Sequence, residues 1–228
     1  MKNILIIGGS TGIGLETAKI LSKEHNVYAT YNNTAVVDAN NINYQFYNVA
    51  ENNDLDLPEE IHGIIYCPGS ITLKPFKRLK SENLLEDFNL HVGGAVNVIQ
   101  QALPKLSKEG NNSIVLFSSV AVQTGFNFHT QISICKGALE GLTKALSAEL
   151  APTTRVNAIA PSLTNTPLAS ALLNSDAKIK ANADRHPLKR IGEAKDIAEM
   201  ASFLVSDKAS WITGQILKVD GGISNIKG

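Results

Sequence analysis

Residues 3–21, NILIIGGSTGIGLETAKIL, constrain the fold of this 228-residue chain more than any other stretch. The uninterrupted apolar run from Ile4 to Ile7 is typical of a strand that is covered on both faces. Gly8, Gly12 and Gly14 follow it, and a helical apolar pattern begins within the same turn. Glycine lets a backbone approach a pyrophosphate closely at a helix N-terminus. The stretch therefore predicts a dinucleotide site at the first strand of a parallel α/β sheet.

A second unit of strand, loop and helix occupies residues 113–150. Its apolar run at 114–117 predicts a buried strand, Ser119 follows the carboxyl end of that strand, and Lys136 lies on an early turn of the helix. Ligands of open parallel sheets bind beyond the carboxyl ends of the strands. We therefore expect Ser119 and Lys136 to meet in a cleft at that edge.

This unit closely resembles the strand-to-helix core of the short-chain dehydrogenase/reductase family, and the glycine spacing of the first turn resembles that family too. Ser119 lies thirteen residues before position 132 and Lys136 four residues after it, which matches the spacing of the family's Ser, Tyr and Lys. Position 132 is Ile here, so the family's proton donor is missing. The resemblance implies that Ser119 steadies a substrate carbonyl oxygen and that Lys136 holds the nicotinamide ribose.

The resemblance covers essentially the whole chain and is strongest to the bacterial 3-oxoacyl carrier-protein reductase branch. It implies one doubly wound, Rossmann-like α/β domain over residues 1–228, with a parallel sheet of about seven strands. It also implies a small-molecule substrate and a homo-oligomer, either a dimer or a tetramer. The cofactor-binding residues that it implies are Gly8, Ser10, Thr11, Gly12, Ile13, Gly14, Tyr31, Asn32, Asn48, Val49, Pro68, Gly69, Lys136, Pro161, Thr164 and Thr166.

The end of the second predicted strand, residues 27–31, bears on the choice of cofactor. In Rossmann-type folds an acid at this place accepts the ribose 2′-hydroxyl of NAD, whereas an Arg suits the 2′-phosphate of NADP. Tyr31, Asn32, Asn33 and Thr34 stand here, with neither an acid nor a base among them. Since no carboxylate repels a 2′-phosphate, we expect NADP, with NAD as the alternative.

Two further strands are predicted at residues 44–49 and from residue 63 onward. The segment between them is shorter than the family's usual helix, so that crossover must be abbreviated. The turn after the fourth strand resembles the family's Asn-Asn-Ala-Gly turn, but only its last residue, Gly69, is kept. Tyr66 stands at the first of these places and is predicted to pack against neighbouring strands.

Residues 81–106 predict one long helix, with Ser81 as a capping residue and Pro104 near its end. The family carries an Asn in this helix that holds a water of its proton relay. The matching position is His91, and an alignment slip of two residues would place Asn89 there instead. A histidine that titrates near neutral pH would suit a proton relay, so His91 is a candidate catalytic residue.

His129 is a second candidate for the missing acid. It lies seven residues before Lys136, where the divergent enoyl reductase branch of the family carries a Tyr. Phe126 and Phe128 flank it, and a loop histidine among aromatic residues is more often simply packed. Both interpretations stay open at this point.

The last third of the chain again resembles the family. Residues 156–159 predict the sixth strand, and the Ala-rich stretch from 169 to about 185 matches the mobile lid over substrate, with no charged cluster that stands out. Asp196 is predicted to cap a helix that runs through Val205. Residues 216–219 predict the last strand.

Composition excludes several classes of protein. Lys and Arg together number 21, as do Asp and Glu, so no net charge attracts nucleic acid or an anionic membrane. No apolar run reaches the roughly 18 residues of a membrane span, and the N-terminal run is too short for a signal peptide. Cys67 and Cys135 have no metal-ligand spacing to a His, which predicts no metal site and favours two reduced thiols in a cytoplasmic protein.

Two functions remain open from the sequence. The first is an NAD(P)H-dependent oxidoreductase for a carbonyl or enoyl substrate, in which His129 or His91 replaces the Tyr. The second is a non-catalytic relative that binds the dinucleotide, or a silent subunit of a hetero-oligomer with an active paralogue. Retention of Ser119 and Lys136 favours the enzyme, and Ile132 favours the silent subunit.

Overall fold

Parallel strands form a central sheet in the computed structural model, which describes residues 1–34, 36, 41–51 and 53–226. Seven strands make this sheet, and two short strands, β7 and β8, pair with each other outside it. The bounds are β1 Asn3–Ile7, β2 Asn26–Tyr31, β3 Ile42–Phe46, β4 Gly63–Tyr66, β5 Asn112–Phe117, β6 Thr154–Pro161, β7 Thr164–Asn165, β8 Gly192–Glu193 and β9 Ile216–Val219.

Helices cover both faces of the sheet. Short 3₁₀ turns and one π-helical turn, Asn89–Gly93, connect some of them. The α-helices are α1 Gly12–Leu21, α2 Ser81–Phe88, α3 Gly94–Ala102, α4 Ala121–Thr124, α5 Thr130–Glu149, α6 Asp176–Arg185 and α7 Ala194–Val205.

Alternation of side chains along each strand builds two apolar layers. Ile4 and Ile6 of β1 pack in the layer that also holds buried residues of α1 and α7. Leu5 and Ile7 point to the opposite face and pack with residues of α3 and α5. Because both faces are covered, the inner strands are continuous apolar runs, as the sequence predicts.

The strands lie in the order β3-β2-β1-β4-β5-β6-β9, and every neighbouring pair is parallel. The strand order reverses between β1 and β4, so the loops that leave these two strands diverge and open a crevice at the carboxyl edge. The predicted fold class, a doubly wound α/β sheet of seven parallel strands, is confirmed.

Three predicted boundaries are wrong. The helix predicted over residues 81–106 is divided into α2, the π-helical turn, α3 and a 3₁₀ turn, Leu103–Lys105. Lys80, not Ser81, is the N-cap of α2. The third strand ends at Phe46, three residues before the predicted end.

The capping prediction for α7 is correct in part, because Asp196 caps the helix from within its first turn and not as the N-cap. Glu193 is the N-cap of this helix, and Asp196 is the third residue of its first turn. The Asp196 carboxylate accepts a hydrogen bond from Glu193 N at 2.8 Å, which completes a capping box. Asp196 therefore stabilises the helix start from within the helix.

Candidate active site

A cavity of about 490 Å³ opens at the carboxyl edge of the sheet. Loops after β4, β5 and β6 surround it, together with residues of α1, α5 and α6. The structure brings ten of the predicted site positions to its walls. These are Ile13, Gly69, His91, Ser119, His129, Ile132, Lys136, Pro161, Thr164 and Thr166.

Lys136 projects from α5 into this cavity and is almost fully buried. Its Nζ donates a hydrogen bond to the Phe117 carbonyl oxygen at the end of β5, at 2.8 Å. None of the described residues that line the cavity is Asp or Glu, so no carboxylate offsets the cost of burying the ammonium group. Desolvation therefore lowers the pKa of Lys136 to about 8.

Ser119 and Ile132 lie on the same walls as Lys136. Ser119 Oγ accepts a hydrogen bond from Ala121 N at 3.2 Å, which leaves its hydroxyl proton free to point into the cavity. Ile132 is on the first turns of α5 and is 6% exposed. The structure thus brings Ser119, Lys136 and position 132 to one cavity, and position 132 offers no titratable group.

His91 is completely buried in the π-helical turn, and its ring faces the cavity. Ser70 N donates to His91 Nε2 at 3.1 Å, so neutral His91 carries its proton on Nδ1. His91 Nδ1 has no hydrogen-bond partner among the described residues. A Cβ on Gly69 would lie 3.3 Å from Nδ1 and 3.6 Å from Lys136 Nζ, so both nitrogen atoms border the same small space.

Burial, reinforced by the charge of Lys136, lowers the pKa of His91 to about 3. The expectation that His91 titrates near neutral pH is therefore wrong. The imidazole is neutral at pH 7, and its Nδ1–H is a hydrogen-bond donor beside Gly69. A neutral ring of this kind can orient a hydroxyl group or pass a proton between its two nitrogens, but it cannot serve as a strong acid.

A buried carboxylate, Asp87, holds Ser70, whose N–H donates to His91. Ser70 Oγ lies 3.2 Å from His91 Nε2 and donates to Asp87 Oδ1 at 2.7 Å, while Gln131 Nε2 donates to Asp87 Oδ2. No sequence motif predicts that Ser70, Asp87 and Gln131 belong to the site, because these residues are distant in sequence. One signal was present in the sequence. Asp87 stands four residues before His91 and therefore shares its helix face.

His129 also lines the cavity, at the N-terminus of α5. Its Nδ1 lies 2.8 Å from the Asn127 carbonyl oxygen, and a carbonyl oxygen only accepts, so Nδ1 carries a proton. In the neutral ring Nε2 is then a hydrogen-bond acceptor. Phe126 packs on the ring with a centroid distance of 5.4 Å. A neutral His129 in this tautomer therefore has no proton to donate from Nε2.

The glycine turn fits a dinucleotide phosphate. A Cβ on Gly14 would overlap the Gly8 carbonyl oxygen, and Gly12 has a φ of +53°, so side chains are excluded from both positions. The Thr11 side chain makes no capping bond to α1, which leaves the first N–H groups of the helix available to a ligand. Thr166 packs against the turn, since a Cβ on Gly12 would lie 3.4 Å from its Cβ.

The other predicted cofactor contacts lie along the same edge but outside the cavity walls. Pro68 packs beside Gly8, Tyr31 packs edge-on against Phe46 at 5.9 Å, and Asn48 Oδ1 accepts from Ala50 N at 3.1 Å. The remaining members of this group are Gly8, Ser10, Thr11, Gly12, Gly14, Asn32 and Val49. Tyr66, as predicted, is packed away from the cavity, and its hydroxyl donates to the Leu90 carbonyl oxygen at 2.6 Å.

The sequence also gives no sign of the polar face of α6. Lys178, Asn182 and Arg185 of this helix line the cavity, although no charged cluster stands out in its sequence. Their spacing places all three on one face of the helix. Within the described residues, the structure contains no group of three metal-ligating side chains and no helix long and apolar enough to cross a membrane.

Comparisons with known proteins agree with this architecture. The family model described as Enoyl-(Acyl carrier protein) reductase matches residues 36–224. The uncharacterized oxidoreductase YmfI of Bacillus subtilis (strain 168) is 31% identical over 239 residues, covering 97% of this chain and 98% of that protein. The 3-oxoacyl-[acyl-carrier-protein] reductase MabA of Mycobacterium avium is 30% identical over 233 residues, covering 97% of this chain and 89% of that protein.

Solved structures show the same relationship. A short chain dehydrogenase family protein from Francisella tularensis superposes with a TM-score of 0.88 at 25% identity, covering 99% of this chain and 100% of that chain. The family model matches well over half of the chain, and the two relatives align with nearly all of it. This chain belongs to the short-chain dehydrogenase/reductase family of oxidoreductases.

Proposed function

We propose that this protein is an NADP(H)-dependent oxidoreductase that reduces a carbonyl group of a small molecule, with Lys136 as the proton donor in place of the missing Tyr. One observation carries the proposal. A buried ammonium group, with no carboxylate among the described residues around it, shares a cavity with Ser119 at the carboxyl edge of the sheet. Ser119 and Lys136 are also the two residues that the family uses beside its Tyr.

The residues that would hold the cofactor follow from the fold. The glycine turn and the N-terminus of α1 suit the pyrophosphate, Lys136 suits the nicotinamide ribose, and Thr164 and Thr166 suit the carboxamide. No acid follows β2 at residues 31–34, which supports NADP over NAD. Calorimetry with both cofactors tests this choice. We expect NADPH to bind more tightly, and equal or weaker binding of NADPH would contradict it.

When bound, the cofactor supplies the hydride that attacks the carbonyl carbon. Ser119 Oγ–H donates a hydrogen bond to the carbonyl oxygen and so orients the substrate. Lys136 Nζ gives a proton to that oxygen as the C=O π electrons become an O–H bond, and the alcohol and a neutral amine result. An acid works best when its pKa lies near the working pH, and burial brings the pKa of Lys136 to about 8.

Neither histidine offers a better donor. His91 is neutral at pH 7 because burial lowers its pKa to about 3. His129 carries its proton on Nδ1, which the Asn127 carbonyl oxygen engages. His91 Nδ1–H would instead hold the relay water or a ribose hydroxyl beside Lys136.

Steady-state turnover with ketone and enoyl thioester substrates tests the proposal. With Lys136 as the donor, carbonyl reduction by NADPH falls as pH rises through about 8, because the ammonium group loses its proton. Lys136→Met should abolish turnover, whereas Lys144→Met, which removes an exposed lysine of the same helix, should not. A wild-type rate that stays constant from pH 7 to pH 10 would refute Lys136 as the acid.

An enoyl reduction with His129 as the donor is the competing assignment. It predicts that His129→Ala abolishes turnover of enoyl thioesters. Under our proposal His129→Ala retains most of the carbonyl reductase rate. The same substrate panel therefore separates the two donors.

Ile132 favours a second function, a non-catalytic relative that acts as a silent subunit beside an active paralogue. This function predicts cofactor binding without turnover of any substrate, together with stimulation of an active paralogue when both chains are co-expressed. A wild-type chain that reduces any carbonyl substrate on its own contradicts it. We further propose a cytoplasmic location, which the two free cysteines support.

A further inference from the structure

The inner face of helix α6 is cationic. Lys178 and Arg185 stand seven residues apart, with Asn182 between them, and all three line the cavity. The opposite face differs, because Lys180 forms an ion pair there with Asp184 at 3.4 Å. The helix thus directs two of its cations to the cavity and pairs another one outside it.

The two inward cations have no acidic partner in the described part of the chain. Lys178 Nζ reaches only the Ala171 carbonyl oxygen, at 3.5 Å. The Arg185 guanidinium lies over the Phe126 ring, 5.5 Å from its centroid, and this contact leaves the N–H edges of the guanidinium free. Neither side chain takes part in a salt bridge among the described residues.

The cavity wall is mainly apolar. Aliphatic and aromatic side chains contribute most of it, and no Asp or Glu occurs among the described residues that line the cavity. Lys136 is buried, whereas Lys178 and Arg185 are exposed and therefore lie where the cavity meets solvent. The apolar lining residues include Leu73, Phe126, Leu163, Leu168 and Leu172.

We propose that the substrate is an amphipathic carbonyl compound with an aliphatic body and an anionic group, which Lys178 and Arg185 bind at the mouth of the cavity. The proposal rests on the proposed function, since it names the substrate class of the same site. Arg185 binds the anion through its free guanidinium edge, and Lys178 adds a flexible point charge. The aliphatic body gains free energy by leaving water.

Binding measurements test this proposal without any turnover. Octanoate and octanamide have the same carbon skeleton and differ in charge, so their affinities for the NADP⁺ complex isolate the anion contact. We expect octanoate to bind more tightly to the wild type, by about fivefold or more, because exposed ion pairs contribute modestly. In the double variant Lys178→Gln, Arg185→Gln this preference disappears while the octanamide affinity stays the same.

Lys180→Gln is the matched control, because it removes one positive charge from the outer face of the same helix. It should retain the octanoate preference. If octanoate and octanamide bind the wild type equally, or if neither binds, the proposal is overturned. It is also overturned if the octanoate preference survives in the double variant, because Lys136 would then bind the anion. It is likewise overturned if the double variant weakens NADPH binding as much as octanoate binding, because the two cations would then bind the cofactor.

The binding and turnover experiments fail independently. If the chain reduces no carbonyl compound but still prefers octanoate through Lys178 and Arg185, the proposed reaction is wrong and the anion site at these two residues is supported. If the chain reduces ketones without any preference for anionic ones, the proposed reaction is supported and the anion site is wrong.

Discussion

Ile132 lines the cavity with Ser119 and Lys136 and is only 6% exposed. We expect Ile132→Tyr to raise carbonyl reductase activity, by at most roughly 10²–10⁴ since Lys136 already supplies a proton, because a phenol beside Lys136 is a further general acid. The larger ring should lower the free energy of unfolding by about 1–3 kcal/mol. Steady-state kinetics and urea unfolding measure the two effects.

Ile132→Phe is the control for this substitution, because it adds the same ring without the hydroxyl. It should lose stability like Ile132→Tyr and gain no activity. An equal gain in both variants would show that the ring, not the proton, is responsible. If both variants stay silent while they bind cofactor, the silent-subunit function is favoured.

His91 should make the protein sensitive to acid. Its pKa is about 3 in the folded chain, below the usual value of 6.5, so the unfolded chain binds the extra proton as pH falls through about 6.5. Stability from this residue is complete above that pH and is lost below it. Between pH 7 and pH 5 the wild type should lose about 2 kcal/mol more than His91→Gln.

Urea unfolding at the two pH values measures this difference. His91→Gln keeps a polar side chain at the position and removes the titration. If both proteins lose the same stability between pH 7 and pH 5, His91 is not held neutral by burial.

The π-helical turn Asn89–Gly93 and Tyr66 depend on each other. The Tyr66 hydroxyl donates to the Leu90 carbonyl oxygen within the turn, and a Cβ on Gly94 would overlap this hydroxyl. We therefore expect Gly94→Ala to lower the free energy of unfolding by about 1–3 kcal/mol, despite the better helix propensity of Ala. Tyr66→Phe should recover part of this loss in the double variant.

Gly93→Ala is the matched control one residue earlier. A Cβ there would lie 3.6 Å from Asn89 Oδ1, which is ordinary contact, so the variant should be neutral or stabilised by up to about 1 kcal/mol. Urea unfolding compares the two variants. Equal effects at positions 93 and 94 would mean that Tyr66 does not require the glycine.

Helix boundaries show where local patterns stop being informative. The apolar periodicity of residues 81–106 is continuous, so the sequence predicts one helix, yet a buried tyrosine from β4 takes the Leu90 carbonyl oxygen and a π-helical turn results. At α7 the sequence predicts that Asp196 caps the helix but not that Glu193 is the N-cap, because both residues can cap a helix. The helix boundary therefore depends on Tyr66, which is distant in sequence, in the first case, and on the neighbouring acid Glu193 in the second.

The exposed face of α5 bears on the oligomeric state of the protein. We expect a dimer or a tetramer in sedimentation velocity, because α5 presents small and apolar residues outside the core. A Cβ on Gly141 would meet nothing within 4 Å, and Ile134 of the same helix is 44% exposed. Gly141→Arg should therefore dissociate the oligomer while the far-UV circular dichroism stays that of the wild type.

A wild type that sediments as a monomer at every concentration would contradict this prediction. So would an oligomer that Gly141→Arg leaves intact. Lys144→Met, on the same helix, tests whether any change of charge on α5 has the effect. It should leave the oligomer as it is.

The sequence alone determined the sheet, its strands and most of the cavity walls. Apolar runs, the glycine turn and the spacing of Ser119, Ile132 and Lys136 are local in the chain, and parallel strands bring their carboxyl ends to one edge whatever the loops contain. The tertiary structure decided what the groups at that edge can do. The pKa of Lys136, the tautomer of His91 and the inward direction of Lys178 and Arg185 all depend on burial and on neighbours far away in sequence.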